Sequence, residues 1–84
     1  MRFLVTDECQ RLTRWLRLMG CDTATAATQP LSELYQRAYR ESRIVVTRNR
    51  RVGASCLFRV IHLASTGLKE QLRQLVREVP LAVD

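Results

Sequence analysis

Glycine, proline, histidine and aromatic side chains are all scarce in this chain: three Gly, two Pro, one His, one Trp, two Tyr and two Phe. Each shortage removes a class of function. No glycine-rich loop of the kind that cradles phosphates is present. The lone histidine, His62, lies inside a strand pattern and reads as a structural or edge residue. Ser55 and Ser65 lack the histidine–acid spacing of hydrolase chemistry. Trp15 and Tyr35 fall on predicted core faces, leaving Tyr39 as the exposed aromatic, so single-strand recognition by base stacking has little support. Cys9, Cys21 and Cys56 are too few and too scattered for a paired Cys-x-x-Cys zinc site. Their apolar neighbours mark them as buried free thiols. No apolar run approaches the roughly 20 residues of a membrane helix. The start, Met1-Arg2-Phe3-Leu4-Val5, turns polar at once without a small-residue cleavage site, so the expectation is a soluble, cytoplasmic protein with no membrane contact.

Lysine is scarce as well, yet the chain is basic: 13 of its 14 cationic residues are arginine, and the net charge is +6. A basic balance favours an anionic partner, and arginine's planar fork suits phosphate. An arginine-biased genome covering an ordinary surface explains the same count. At 84 residues and 46% hydrophobic content, residues 1–84 make one folded domain. Its core is small, so a homodimer or a protein partner is plausible.

The pattern alternates strand and helix. Arg2–Val5 reads as a short buried strand. Leu12, Trp15, Leu16 and Met19 recur at i, i+3, i+4 and i+7, which predicts a helix over 8–19 stopped by Gly20. Threonines within 21–28 favour a second strand. Pro30 opens a helix striped by Leu31, Leu34, Tyr35 and Ala38 and ending near Glu41-Ser42. Arg43–Thr47 is the clearest strand, and 57–63 is a further one. Leu68, Leu72, Leu75, Val76 and Val79 stripe a last helix, with Pro80 beyond it. Alternating strands and helices imply an α/β domain, a small and mostly parallel sheet flanked by helices.

In such sheets ligands sit at the carboxyl ends of the strands. The first strand ends in Thr6-Asp7-Glu8 and the middle one in Thr47-Arg48-Asn49, so Asp7, Glu8 and Asn49 are expected on one side of the fold. Carboxylates gathered there hold Mg²⁺ or Mn²⁺ and activate water against a phosphoryl centre. Equally, Asp7 just before an apolar helix is a good N-cap, and Glu8 complements the helix dipole. Arg11, Arg14 and Arg17 form a drifting basic stripe, and Arg48, Arg50 and Arg51 form a second cluster. Both fit phosphate contacts to a nucleic acid. Both also fit a solvated face, with Arg14 and Arg17 ion-paired to Glu8 or Asp22.

Three stretches together resemble the PIN-like RNase domain named for the C-terminus of the Mut-seven exonuclease. They are Arg2-Phe3-Leu4-Val5, the run Arg11-Leu12-Thr13-Arg14-Trp15-Leu16-Arg17-Leu18-Met19-Gly20-Cys21-Asp22, and Arg43-Ile44-Val45-Val46-Thr47-Arg48-Asn49-Arg50. Glu70-Gln71-Leu72 in the last helix also fits. The resemblance implies a parallel PIN-like fold and, in active members, an Mg²⁺- or Mn²⁺-dependent ribonuclease acting on RNA. It implies Asp7 and Glu8 as metal ligands helped by Asp22 or Glu33, and Asn49 as a neutral ligand. Arg14, Arg48 and Arg50 would then hold phosphates. This chain departs from the pattern: the usual Thr-Arg-Asp reads Thr47-Arg48-Asn49, only Glu33 is acidic within 28–33, and these 84 residues contain no cysteine-rich zinc ribbon. An amide keeps the shape of a carboxylate but ligates a hard cation more weakly. The expectation is an RNA-acting or RNA-binding domain with weak or lost metal-dependent endonuclease activity. The alternative is a non-catalytic nucleic-acid-binding or protein-interaction module.

Overall fold

The computed structural model describes residues 1–79. Strand β1 (Arg2–Thr6) runs through a 3-10 turn (Asp7–Cys9) into helix α1 (Gln10–Leu18). Then follow β2 (Asp22–Ala26), α2 (Leu31–Arg40), β3 (Ile44–Thr47), β4 (Val60–His62) and α3 (Leu68–Glu78). The strands make one sheet in the order β2-β1-β3-β4, and every pairing is parallel. The expected α/β architecture is what forms.

The two central strands are apolar at Phe3-Leu4-Val5 and Ile44-Val45-Val46 because both of their faces are covered. From β1, Phe3 and Val5 join Leu12 and Leu16 of α1 and Leu75 of α3 on one face. Leu4 joins Leu34 and Ala38 of α2 on the other. Val46 and Val45 of β3 divide in the same way. The result is three layers, with α1 and α3 on one side of the sheet and α2 on the other. Helices α1 and α2 end alike. The N–H of Cys21 reaches the carbonyl of Leu16, and that of Arg43 the carbonyl of Ala38, both at or near 3 Å (3.0 and 2.9 Å). The residue before each adopts positive φ: Gly20 at 88° and Ser42 at 53°.

Side chains fill the outer carbonyls at both sheet edges. On β2, Arg17 Nε donates to the Thr23 carbonyl (2.9 Å) and Arg37 Nη1 to that of Thr25 (3.2 Å). On β4, Gln74 acts as a one-residue strand, donating to the His62 carbonyl (2.8 Å) and accepting from the Ala64 N–H (2.9 Å).

Five expectations need correction. Trp15 and Val76, placed on core faces by their spacing, are 47% and 54% exposed. The apolar stripe of each helix is wider than the strip of sheet it covers. Cys9 is buried as expected, but Cys21 is half-buried and Cys56 exposed. The last strand is shorter than 57–63, because residues 48–59 form an irregular crossover. That segment buries Val52 beneath α2 and stacks Phe58 on Tyr35, with ring centroids 5.7 Å apart. It occupies the place of a crossover helix and leaves Leu57 exposed. Pro80, expected after the last helix, lies outside the described residues. Among the described residues no helix is long and apolar enough to cross a membrane.

Candidate nucleic-acid interface at the carboxyl end of the sheet

Strands β1 and β3 are neighbours whose outgoing connections leave on opposite faces: α1 on one, the 48–59 crossover on the other. Such a divergence opens a crevice at the carboxyl ends, where α/β sheets bind ligands. Both strands end in threonine, and both hydroxyls are buried. The Thr6 hydroxyl donates to Glu8 Oε1 at 2.6 Å, and the Thr47 hydroxyl lies 3.2 Å from the same oxygen. The Arg48 N–H donates to it as well, at 3.1 Å. One carboxylate oxygen therefore brackets the ends of two strands. Partial burial raises the Glu8 pKa, but the hydrogen bonds from Thr6, its own backbone, Arg48 and Thr47 outweigh this and hold it below the ordinary 4.5.

Asn49 is held just as locally. Its N–H donates to Thr47 Oγ1 (2.9 Å), and its Oδ1 accepts the Arg51 N–H (2.9 Å), an Asx turn. Its carbonyl accepts from Val52 (3.1 Å). The carbonyl of Val52 meets His62 Nε2, so the edge-strand histidine pins the crossover loop.

A crevice of about 220 Å³ gathers Asp7, Glu8, Arg11 and Arg48 with Thr66 and Gln71. Four residues expected at the site therefore do converge. Asp7 and Glu8 sit in the first turn after β1, where negative charge meets the positive helix end. No side-chain capping bond forms there, so the N-cap role expected of Asp7 is not seen. Arg50 and Arg51 are exposed on the turn beyond Asn49.

Other expected residues lie elsewhere. Asp22 pairs in register with Arg2 at the amino end of the sheet, five residues below the level of Asp7. At a strand rise of about 3.3 Å per residue that is roughly 16 Å away. Parallel pairing makes this unavoidable for a residue that begins a strand. Arg43 (3.1 Å) and Arg2 (3.2 Å) pair with it there. The hydrogen bond from Arg43 and both positive charges hold its pKa low. Glu33 opens α2 in a separate crevice of about 230 Å³ beside Ala26 and Arg37. Arg14 lines a groove between α1 and β2 with Thr13 and Thr25. The ion pairs foreseen for Arg14 and Arg17 with Glu8 or Asp22 do not form; Arg17 serves the β2 edge instead.

These placements test whether the residues present fit a divalent cation. Among the described residues no three His, Cys, Asp or Glu side chains gather closely enough to hold one. No buried side-chain polar atom among them lacks a partner. Glu8 Oε1 and Asn49 Oδ1 are both engaged by the protein's own donors. The residues do not fit a metal cage, and no chemical step is assigned through one.

Reading single residues missed the threonine pair and Gln71. The signal was present: Phe3-Leu4-Val5-Thr6 and Ile44-Val45-Val46-Thr47 end two buried strands with the same hydroxyl residue.

A parallel α/β sheet with a polar, arginine-flanked crevice at the divergence of its central strands is the class this chain represents. It belongs to the Mut7-C RNAse domain family, which it matches over residues 1–84. No curated protein and no solved structure matches it. An RNA-related, nuclease-like function goes with that family, and RNA is the substrate or partner it implies.

Proposed function

We propose that this chain is an RNA-binding domain of RNase descent whose metal-dependent cleavage is weak or lost. One observation carries the proposal: among the described residues no three His, Cys, Asp or Glu side chains gather closely enough to hold a cation, and Glu8 Oε1 and Asn49 Oδ1 already accept the fold's own N–H and O–H groups. Arginines outnumber the acids around the crevice. Arg11 and Arg48 line it, and Arg50 and Arg51 stand exposed beside it. Phosphate oxygens of RNA match these guanidinium groups in charge and geometry. Asp7 contributes a negative charge in the crevice that a passing phosphate avoids, which favours a backbone track along the arginine turn.

The test uses labelled single-stranded RNA with Mn²⁺, comparing wild type, Asn49→Asp and Asp7→Ala. We expect all three to bind RNA with strong salt dependence and wild type to leave it uncut. Wild-type cleavage that disappears in Asp7→Ala overturns the loss of catalysis. Binding that ignores salt overturns the phosphate reading.

A further inference from the structure

The outer surface of the α1/α3 layer carries apolar surface that the sheet does not use. Val76 is 54% exposed and Leu72 half-buried on α3, while Trp15 is 47% and Leu18 69% exposed on α1. The flanks on which they lie follow from the edge contacts. Thr13 and Arg17 turn one flank of α1 toward β2, so Trp15, on the opposite flank, turns toward α3. Gln74 turns one flank of α3 toward the β4 edge, so Leu72 and Val76 turn toward α1. The two helices pack side by side. Trp15, Leu72 and Val76 thus border one seam, while Leu18 lines the groove between α1 and β2. On α3 that strip is edged by Lys69, Arg73 and Arg77, against a single acid, Glu70.

We propose that this seam docks an acidic amphipathic helix of a partner protein. An apolar strip between two helices accepts the stripe of a third helix at i, i+3, i+4 and i+7 spacing. The three cations along its rim fix the sign of the partner's flanks. A second copy of this chain is disfavoured, because each copy carries +6 and brings the same cationic rim. RNA uses the rim but leaves the aliphatic strip of Leu72 and Val76 without a function. The seam is separate from the carboxyl-end crevice, and the proposal stands whether or not RNA binds there.

Trp15 is the sole tryptophan and reports on the seam directly. The experiment follows its emission while a designed peptide, leucine along one helical stripe and glutamate elsewhere, is added to the full chain. Parallel titrations use single-stranded RNA and vesicles of mixed phosphatidylglycerol and phosphatidylcholine. We expect a blue shift with the peptide and about tenfold weaker binding in Val76→Asp and in Arg73→Glu/Arg77→Glu. The thermal midpoint of Val76→Asp should stay near the wild-type level, which shows that variant to be folded. The proposal is overturned if the peptide gives no shift, if Val76→Asp binds it as wild type does, or if RNA or vesicles shift Trp15 and the peptide does not. Weakened RNA binding in Arg48→Ala with peptide binding intact keeps the two surfaces distinct.

Discussion

At the amino end of the sheet Arg43 is only 8% exposed, and its Nε and Nη1 are both engaged by the fold. Nη1 donates to the carbonyls of Phe3 and Asp22 and to Asp22 Oδ1, each at 3.1 Å, and Nε to Glu41 Oε1 at 2.6 Å. At the carboxyl end Arg11, Arg48, Arg50 and Arg51 are exposed. All four ion pairs of the described residues involve Asp22 or Glu41, so none of these four arginines has an acidic partner. The carboxylate that does stand among them, Glu8, is satisfied by hydroxyls and an N–H instead. One residue type thus serves two ends: it closes the amino end on itself and leaves the carboxyl end available to anions.

The largest expected effect breaks this comparison in both directions at once. Arg43→Ala removes the donor to two strand carbonyls and one of the two arginine partners of Asp22 and of Glu41, and should cost about 2–4 kcal/mol in urea unfolding. RNA affinity of the folded fraction should not change. Arg48→Ala should leave stability within about 0.5 kcal/mol. It should weaken binding to single-stranded RNA and flatten the slope of log K against log salt by roughly 0.7. Equal losses of RNA affinity in the two variants would show the ends to be one surface.

Acid titration gives the next effect. Hydrogen bonding from Arg43 holds the Glu41 carboxyl low, as it does Asp22, whereas Glu8 owes its depression to neutral donors. A carboxyl with a lowered folded pKa stabilises above its unfolded value, and that stability is lost as pH falls through the folded value. Glu8→Gln should therefore be less stable than wild type at neutral pH, by less than about 1 kcal/mol because solvent screens the site. The gap should close as pH falls below the ordinary 4.5. Added salt should weaken the amino-end pairs and leave the Glu8 gap nearly constant. A gap that widens in acid rules out the bracket role.

The smallest effect sharpens the amino end alone. Gly20 and Ser42 occupy equivalent positive-φ positions after α1 and α2, but only glycine does so without steric cost. Ser42→Gly should stabilise by roughly 0.5–1 kcal/mol, and Gly20→Ala should destabilise by about as much, both read as shifts in thermal midpoint.

What the chain showed before folding divides along the same axis. Leu12 with Leu16 and Leu34 with Ala38 are local repeats, and their helices and buried faces follow directly from them. The turn at Asn49 is equally local, an amide two residues before the N–H it accepts, although the residue was read only as a neutral ligand. Asp22 was misjudged as a site helper because its level is set by pairing with Arg2, 20 residues away. Arg43 went unremarked as a structural residue for the same reason: its partners come from β1, β2 and the end of α2. Trp15 and Val76 were misplaced because a helical stripe records which residues are apolar and not how much sheet is available to cover them.

The side chains of Arg17, Arg37 and Gln74 at the sheet edges bear on assembly. An exposed parallel strand is an invitation to extend the ladder with another molecule's backbone. Here guanidinium groups on one border and a carboxamide on the other stand where that foreign strand would have to enter. Among the described residues the sheet thus ends at four strands. Association with other molecules is steered toward side-chain recognition, on the helical layer or across the strand tips, and away from continuous hydrogen-bonded growth.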